Sequence, residues 1–223
     1  ILTPVNWEHR ASMSDHTDRI LGRIHELELE LEAEFAKKRA GFRFGMERGR
    51  VLFDQEVIRR HIELRKALIP YLLSARFWVV VTAPVIYSLI VAFVVLDLWV
   101  SLYQAICFRV YGIPQVRRRD YLVFDRKSLA YLNAMEKLNC AYCSYANGVI
   151  AYVREVAART EQYWCPIKQA RRVIGTHARY AGFSEYGDAE HYRERLRALR
   201  KDLKGETASE DASGDQTGNA SSE

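Results

Sequence analysis

The chain has 223 residues, of which 49% are hydrophobic and 27% charged, with 12 Gly, 5 Pro, 4 Cys and a formal net charge of +5. Such a composition excludes collagen-like, mucin-like and wholly disordered chains, and four cysteines in this length exclude a disulfide scaffold. The mean hydropathy of −0.22 is that of a soluble protein, yet charge and apolar residues are segregated along the chain.

Residues 1–76 read as an N-terminal helical, coiled-coil-like arm. The first residue, Ile1, is not Met, which reads as a fragment or an alternative start. Residues 1–19 hold no apolar run of the kind found in secretory signals. Asp15 or Thr17 can cap a helix running to about Arg39. Within it Ile20, Ile24, Leu27 and Leu31 fall at 4-3-4 spacing, an a/d seam of about two heptads. The acidic run through Glu34 reverses at Lys37, Lys38 and Arg39, which suits a helix C-terminus. Gly41, Gly45 and Gly49 then break the helix, and Phe42, Phe44 and Met46 alternate as in a short strand or an apolar loop. A second helix is expected from about Asp54, with an apolar side built from Val57, Ile58, Ile62 and Leu68. The seam reads either as an oligomerisation or partner-docking surface or as an ordinary packing surface.

Phe77 to Leu96 is a 20-residue run without a charge. As a helix it rises about 30 Å, the thickness of a bilayer's hydrocarbon core. Arg76 precedes it, Asp97 follows it, Trp78 lies at one rim, and Trp99 and Tyr103 lie at the other. Charges outside and aromatics at both rims are the pattern of a transmembrane helix. Pro84 is tolerated in such a helix. The apolar character continues through Phe108, so residues 77–113 read as a transmembrane helix with a juxtamembrane extension. A re-entrant hairpin from Ile69 to Pro114, turning near Pro84 to Ser88 and pairing Arg76 with Asp97, is the second reading. If the span ends at Leu96, the basic flank of Arg59, Arg60, Arg65, Lys66 and Arg76 places the N-terminus in the cytoplasm; if it ends at Phe108, Arg109, Arg117, Arg118, Arg119, Arg126 and Lys127 flank the other end and the asymmetry vanishes.

Residues 114–187 form a Cys/Tyr-rich segment, expected to be a helical domain. It opens on Arg117, Arg118 and Arg119, which read as contacts to anionic lipid headgroups. A nucleic-acid role needs a reading element as well as charge, and none is visible. A helix is expected from about Lys127 to Asn147, broken at Asn147-Gly148, and a second from Val149 to about Tyr163. Folded as a hairpin, the two would bring together a polar, sulfur-bearing seam. Three readings compete for its cysteines. Cys140, Cys143 and Cys165 with His177 make a Cys₃His set of the kind that holds tetrahedral zinc; Glu155 and Glu161 are further carboxylate candidates. Cys140-x-x-Cys143 can instead cycle between dithiol and disulfide, although it lies inside a helix and not at its N-terminus. Or the cysteines and tyrosines simply pack a helix–helix interface.

The string NCAYCSYANGVIAYVREVAARTEQYWCPIK is similar to a recurring motif of uncharacterised bacterial integral-membrane proteins. The similarity extends back through TAPVIYSLIVAFVVLDLWVSLYQAICFRVYGIP. The resemblance implies a bacterial membrane location and supplies no catalytic residue.

Residues 188–204 read as a basic amphipathic helix, capped by Asp188, with Tyr192, Leu196, Leu199 and Leu203 at 4-3-4 spacing. It lies either on anionic membrane or against its own domain. Residues 205–223 carry five acids and no Lys or Arg; removing those acids from the net +5 leaves +10 on residues 1–204. With no large apolar residue, this acidic tail is expected to be disordered.

The chain lacks a P-loop, G-x-G-x-x-G, G-x-S-x-G and H-E-x-x-H. The expectation is therefore a mainly α, membrane-anchored helical protein with one transmembrane helix and helical-hairpin soluble parts, in the bacterial inner membrane. Its role is expected to be interaction or scaffolding, not catalysis, through the bilayer and a homo-oligomer or protein partner. The alternative is a metal- or redox-binding accessory protein using Cys140, Cys143 and Cys165.

Overall fold

The computed structural model describes residues 7–40, 44–47, 50–53, 55–65 and 77–216. The fold is mainly α. Contacts divide the chain into two units, Ile1–Arg65 with Ser128–Tyr131, and Lys66–Lys127 with Leu132–Glu223.

In the first unit, helix α1 spans Trp7–Ala40, starting earlier than the caps at Asp15 or Thr17 suggested. The seam residues Ile20, Ile24, Leu27 and Leu31 are between 47% and 55% exposed. The glycine-punctuated stretch after α1 is a hairpin: β1 (Phe44–Glu47) pairs antiparallel with β2 (Arg50–Phe53), Phe44 opposite Phe53 and Glu47 opposite Arg50. Helix α2 follows at Gln55–Glu63. Its expected continuation toward the apolar run falls on residues 66–76, outside the described residues. The His61 ring meets Phe53 and Tyr131 edge-on, with centroids at 5.3 and 5.0 Å.

The second unit is built on helix α3, Phe77–Tyr103, which passes through Pro84 without interruption. A turn at Pro84 to Ser88 is thus replaced by continuous helix, and the re-entrant hairpin with it. One π turn, Gln104–Phe108, and a last α turn, Arg109–Tyr111, carry α3 onward. The stretch Val80–Tyr111 is 32 residues long and apolar enough to cross a membrane. Gly112 ends it with φ of 66°, a left-handed conformation that other residues adopt at a cost. The Ile113 N–H closes the end on the Phe108 carbonyl at 2.8 Å, and Pro114 prevents continuation.

From there the chain returns along α3. Val116 is bonded to Gln104 and Arg118 to Asp97, so contacts step backward along the helix. Helix α4 then runs Ala134–Trp164, parallel to α3: Asn139 meets Tyr87, Tyr145 meets Asp97, Tyr152 meets Ser101 and Thr160 meets Tyr103. Its start is a capping box. Asn133 Oδ1 accepts from the Glu136 N–H at 3.0 Å, and Glu136 Oε2 accepts from the Asn133 N–H at 2.9 Å.

Two expectations fail at α4. It begins at Ala134 rather than Lys127, and it does not break at Asn147-Gly148. Gly148 is there for close approach. A Cβ on it would lie 2.6 Å from the Tyr121 carbonyl oxygen and 2.9 Å from Leu122. Without a break there is no hairpin between residues 127 and 163 and no folded sulfur seam.

Helix α5, Tyr192–Gln216, packs back on α4. Leu196, Leu199 and Leu203 are buried, Gln162 Nε2 donates to the Leu199 carbonyl at 2.9 Å, and the Arg200 guanidinium sits 4.5 Å from the Tyr163 ring centroid. The apolar stripe is therefore docked on its own domain. The helix starts three residues later than Ala189. It continues to Gln216, where disorder was expected from Gly205, and residues 217–223 lie outside the described residues. The core of the unit, Phe108, Ile113, Val116, Tyr152, Val156 and Leu203, draws on α3, the return segment, α4 and α5. Segments expected as separate domains at 77–113, 114–187 and 188–204 thus build one unit.

Candidate functional site

The four residues of the expected metal set are split into two pairs. Cys140 and Cys143 lie one turn apart on α4, and Cys165 caps the far end of the same helix. Twenty-two positions of straight helix put Cys143 and Cys165 roughly 33 Å apart along the axis. His177 sits at the Cys165 end, its Nε2 2.9 Å from Glu161 Oε2. Among the described residues no three His, Cys, Asp or Glu side chains are placed to hold one metal ion. All four cysteines are free thiols. Partial burial and the Glu161 carboxylate push the Cys165 thiol up, away from the thiolate that redox and ligand chemistry use.

What α3 does bring together is a set of polar side chains on one side of an otherwise apolar helix. Asp97 is buried. Arg118 grips it with both arms of its guanidinium, Nε to Oδ1 at 2.8 Å and Nη2 to Oδ2 at 2.6 Å. The Tyr145 hydroxyl donates to Oδ2 at 2.9 Å. The Asp97 hydrogen bond raises the pKa of Arg118. Burial, and then the same carboxylate, raise that of Tyr145. Both donors therefore keep their protons, and Asp97 is held as an anion with three of its acceptor sites filled. A carboxylate so occupied cannot act as a general base. The cluster is a clamp that fixes the return segment and α4 onto α3.

Two turns farther on, Gln104 mimics a strand partner. Its Nε2 donates to the Val116 carbonyl at 3.1 Å and its Oε1 accepts from the Val116 N–H at 3.0 Å. The same Nε2 donates to Tyr152 Oη at 2.7 Å, and that hydroxyl pairs with Ser101 Oγ at 3.2 Å. The backbone of the return segment is thereby satisfied inside the unit. On the free flank of α3, Thr82 Oγ1 donates to the Trp78 carbonyl and Ser88 Oγ to the Val85 carbonyl, so these hydroxyls are also met within the helix.

A second charged cluster ties α4 to α5. Arg179 donates to Glu155 Oε1 at 2.8 and 3.0 Å, to Gln162 Oε1 at 2.8 Å, and to both oxygens of Glu206 at 2.8 Å. Arg159 joins at Glu155 from one turn along α4, 2.9 Å away. Glu155 and Glu161, the carboxylates considered as metal ligands, are thus taken by Arg179 and Arg159 and by His177. Burial drives the Glu206 carboxyl up, but the Arg179 hydrogen bond and charge outweigh it and hold the group below the usual carboxylate range.

Of the expected interface residues, Arg76 lies outside the described residues. Trp78 and Trp99 are exposed, at 73% and 71%. Asp97 is inside the clamp, and Tyr103 packs against the core with its hydroxyl 3.1 Å from Thr160 Oγ1. Of the three headgroup arginines, Arg117 and Arg119 are exposed while Arg118 is spent on Asp97. The residues that sequence reasoning passed over are Gln104, Tyr145 and Arg179. A signal existed for some: Asp97, Ser101 and Gln104 recur at 4-3 spacing within an apolar run, which marks a protein-facing stripe.

Comparison with protein-family models, with curated proteins and with solved structures finds no match.

Proposed function

We propose that the chain is a membrane-anchored interaction or scaffold protein with no catalysis of its own. One observation carries the reading. The polar side chains Asp97, Ser101 and Gln104 face the protein's own domain and are satisfied there, while the outer face is apolar apart from the Thr82 and Ser88 hydroxyls, which bond within the helix. Val80, Val85, Val95, Leu98, Leu102, Ile106 and Val110 are all exposed, over a stretch of about 45 Å. A continuous apolar surface of that length marks contact with a bilayer or a protein partner. Because α4 flanks α3 from Tyr87 onward, hydrocarbon can surround the helix fully only ahead of Ile86; beyond that it meets the outer face alone.

The exposed seam of Ile20, Ile24, Leu27 and Leu31 supports a docking role for the N-terminal arm, toward a second copy or another helix. The resemblance to bacterial integral-membrane proteins favours the inner membrane, and the basic flank before α3 favours a cytoplasmic N-terminus only for a span ending at Leu96.

The test is alkaline extraction of membranes carrying the full chain, followed by crosslinking in the intact membrane. The expected result is a chain that stays in the pellet and crosslinks above monomer mass. Release into the supernatant would overturn the anchoring, and isolated monomers without partners would overturn the interaction role. Thiol labelling from each side, read at Cys143 and Cys165, fixes which side the second unit occupies.

A further inference from the structure

Between the return segment and the first turns of α4 lies a cleft of about 160 Å³. Its walls carry three cations, Arg126 and Lys127 from the return segment and Lys137 from α4, together with Cys140, Ser144 and the ring of Phe124. No acid lines it. The acids nearest in sequence point elsewhere. Asp125 lines a neighbouring cleft that shares Arg126 and Ser144 with this one, and Glu136 is held by the capping box on Asn133. Among the described residues, none of the three cations has a carboxylate within ion-pair distance. Elsewhere in the unit Arg118, Arg159, Lys168 and Arg179 each have one, while Arg154, Arg195 and Arg200 donate to backbone carbonyls.

Three like charges line one small cleft, where their interactions with one another are unfavourable and screened by solvent. An anion in the cleft reverses the sign of each of those interactions. The donors match a tetrahedral oxyanion. A guanidinium supplies a planar fork, two ammonium groups supply mobile point charges, and the Ser144 hydroxyl supplies a neutral donor at the wall. The Phe124 ring forms one wall. We propose that this cleft binds a phosphate group, as the headgroup of an anionic lipid or as a soluble phosphate. The site goes beyond the anchoring reading and does not depend on it, since it is formed wholly by the return segment and α4.

Cys140 in the wall provides the readout, and Cys143, exposed one turn along the same helix, provides the internal control. The full chain in mild detergent is alkylated with a neutral maleimide, at constant ionic strength, while chloride is replaced by inorganic phosphate. Phosphate is expected to slow labelling of Cys140 and leave Cys143 unchanged. In the Arg126→Gln/Lys137→Gln variant the phosphate concentration for half-protection is expected to rise about tenfold or more, the scale of losing one charge-assisted contact. Arg172→Gln, at an exposed position after α4, is expected to leave protection unchanged.

A second arm uses phosphatidylcholine vesicles with and without phosphatidic acid. Protection of Cys140 by phosphatidic acid at lipid concentrations where inorganic phosphate is inactive assigns the site to a headgroup. Protection by inorganic phosphate alone assigns it to a soluble ligand. The proposal is overturned if neither protects Cys140, or if the double variant is protected as well as the wild type. Flotation with phosphatidylcholine alone reads the anchoring separately.

Discussion

The two sides of helix α3 share one backbone and nearly one hydropathy, yet they behave as different materials. The inner side carries Asp97, Ser101 and Gln104, each met by a partner from the return segment or α4. The outer side carries Val85, Leu98 and Val110, which touch little of the chain. Hydropathy averaged over a window cannot see this difference. In an apolar helix the few polar residues mark the side that faces protein, because an unmet polar group facing hydrocarbon costs several kcal/mol. A helix able to cross a membrane and a helix at the core of a folded unit are here the same element, distinguished by face.

That contrast is sharpest where a buried charge is involved. Arg118→Ala leaves the Asp97 carboxylate buried without its cation, and the expected loss is about 3 kcal/mol, the low end for a broken buried pair because Arg118 is half-exposed. Denaturant unfolding in detergent reads it. The double variant Asp97→Leu/Arg118→Leu is expected to recover most of that loss, since no unpaired charge remains; a double variant as unstable as the sum of its parts would show the clamp to be more than electrostatic.

Next in size is Gly148→Ala. Its Cβ would meet backbone, which cannot swing aside, so destabilisation of about 2 kcal/mol is expected. Gly22→Ala on α1 is its counterpart. With nothing within 4 Å of the added methyl, it is expected to stabilise by about 0.5 kcal/mol through helix propensity. Circular dichroism melts of both variants test whether the first glycine is a packing residue and the second a spectator.

Tyr152→Phe removes the hydroxyl that accepts from Gln104 Nε2 and pairs with Ser101, with an expected cost of about 1 kcal/mol. A smaller effect is expected from acid. The Glu206 carboxyl is held below its ordinary value by Arg179, so its contribution is complete above about pH 4.5 and is lost as pH falls through the lower folded value. Glu206→Gln is expected to flatten the pH–stability curve in that window alone. Smallest of all is Leu98→Ala on the outer face, with a change in unfolding stability within about 0.5 kcal/mol. If it instead costs as much as a core truncation, the outer face is packed against protein.

How much of this was legible varies with sequence distance. The apolar run of α3 and the 4-3-4 stripe of α5 are local patterns, and each appears as read. The start of α4 was also legible: Asn133-x-x-Glu136 is a capping box, and it outranks the weaker helix signal at Lys127. Gly148 was misread because a glycine that breaks a helix and one that lets a neighbouring backbone approach have the same letter. The Asp97–Arg118 clamp spans 21 residues and depends on the chain doubling back along α3, which no periodicity encodes. The sulfur seam failed for the same reason in reverse. A hairpin was needed to bring Cys143 near Cys165, and the helix stays straight.

The return segment also sets how the second unit would bear mechanical load. Because α3 and α4 run parallel, tension applied between the N-terminal end of α3 and the C-terminal end of α4 pulls the two helices past each other lengthwise. The joints at Tyr87–Asn139, Asp97–Tyr145, Ser101–Tyr152 and Tyr103–Thr160 are then strained together, in shear. An antiparallel pair joined by a short loop would open one contact at a time from its free ends. The route of the connector from Gly112 to Asn133 thus makes this unit a stiff coupling, whose rupture requires most of its contacts to fail at once.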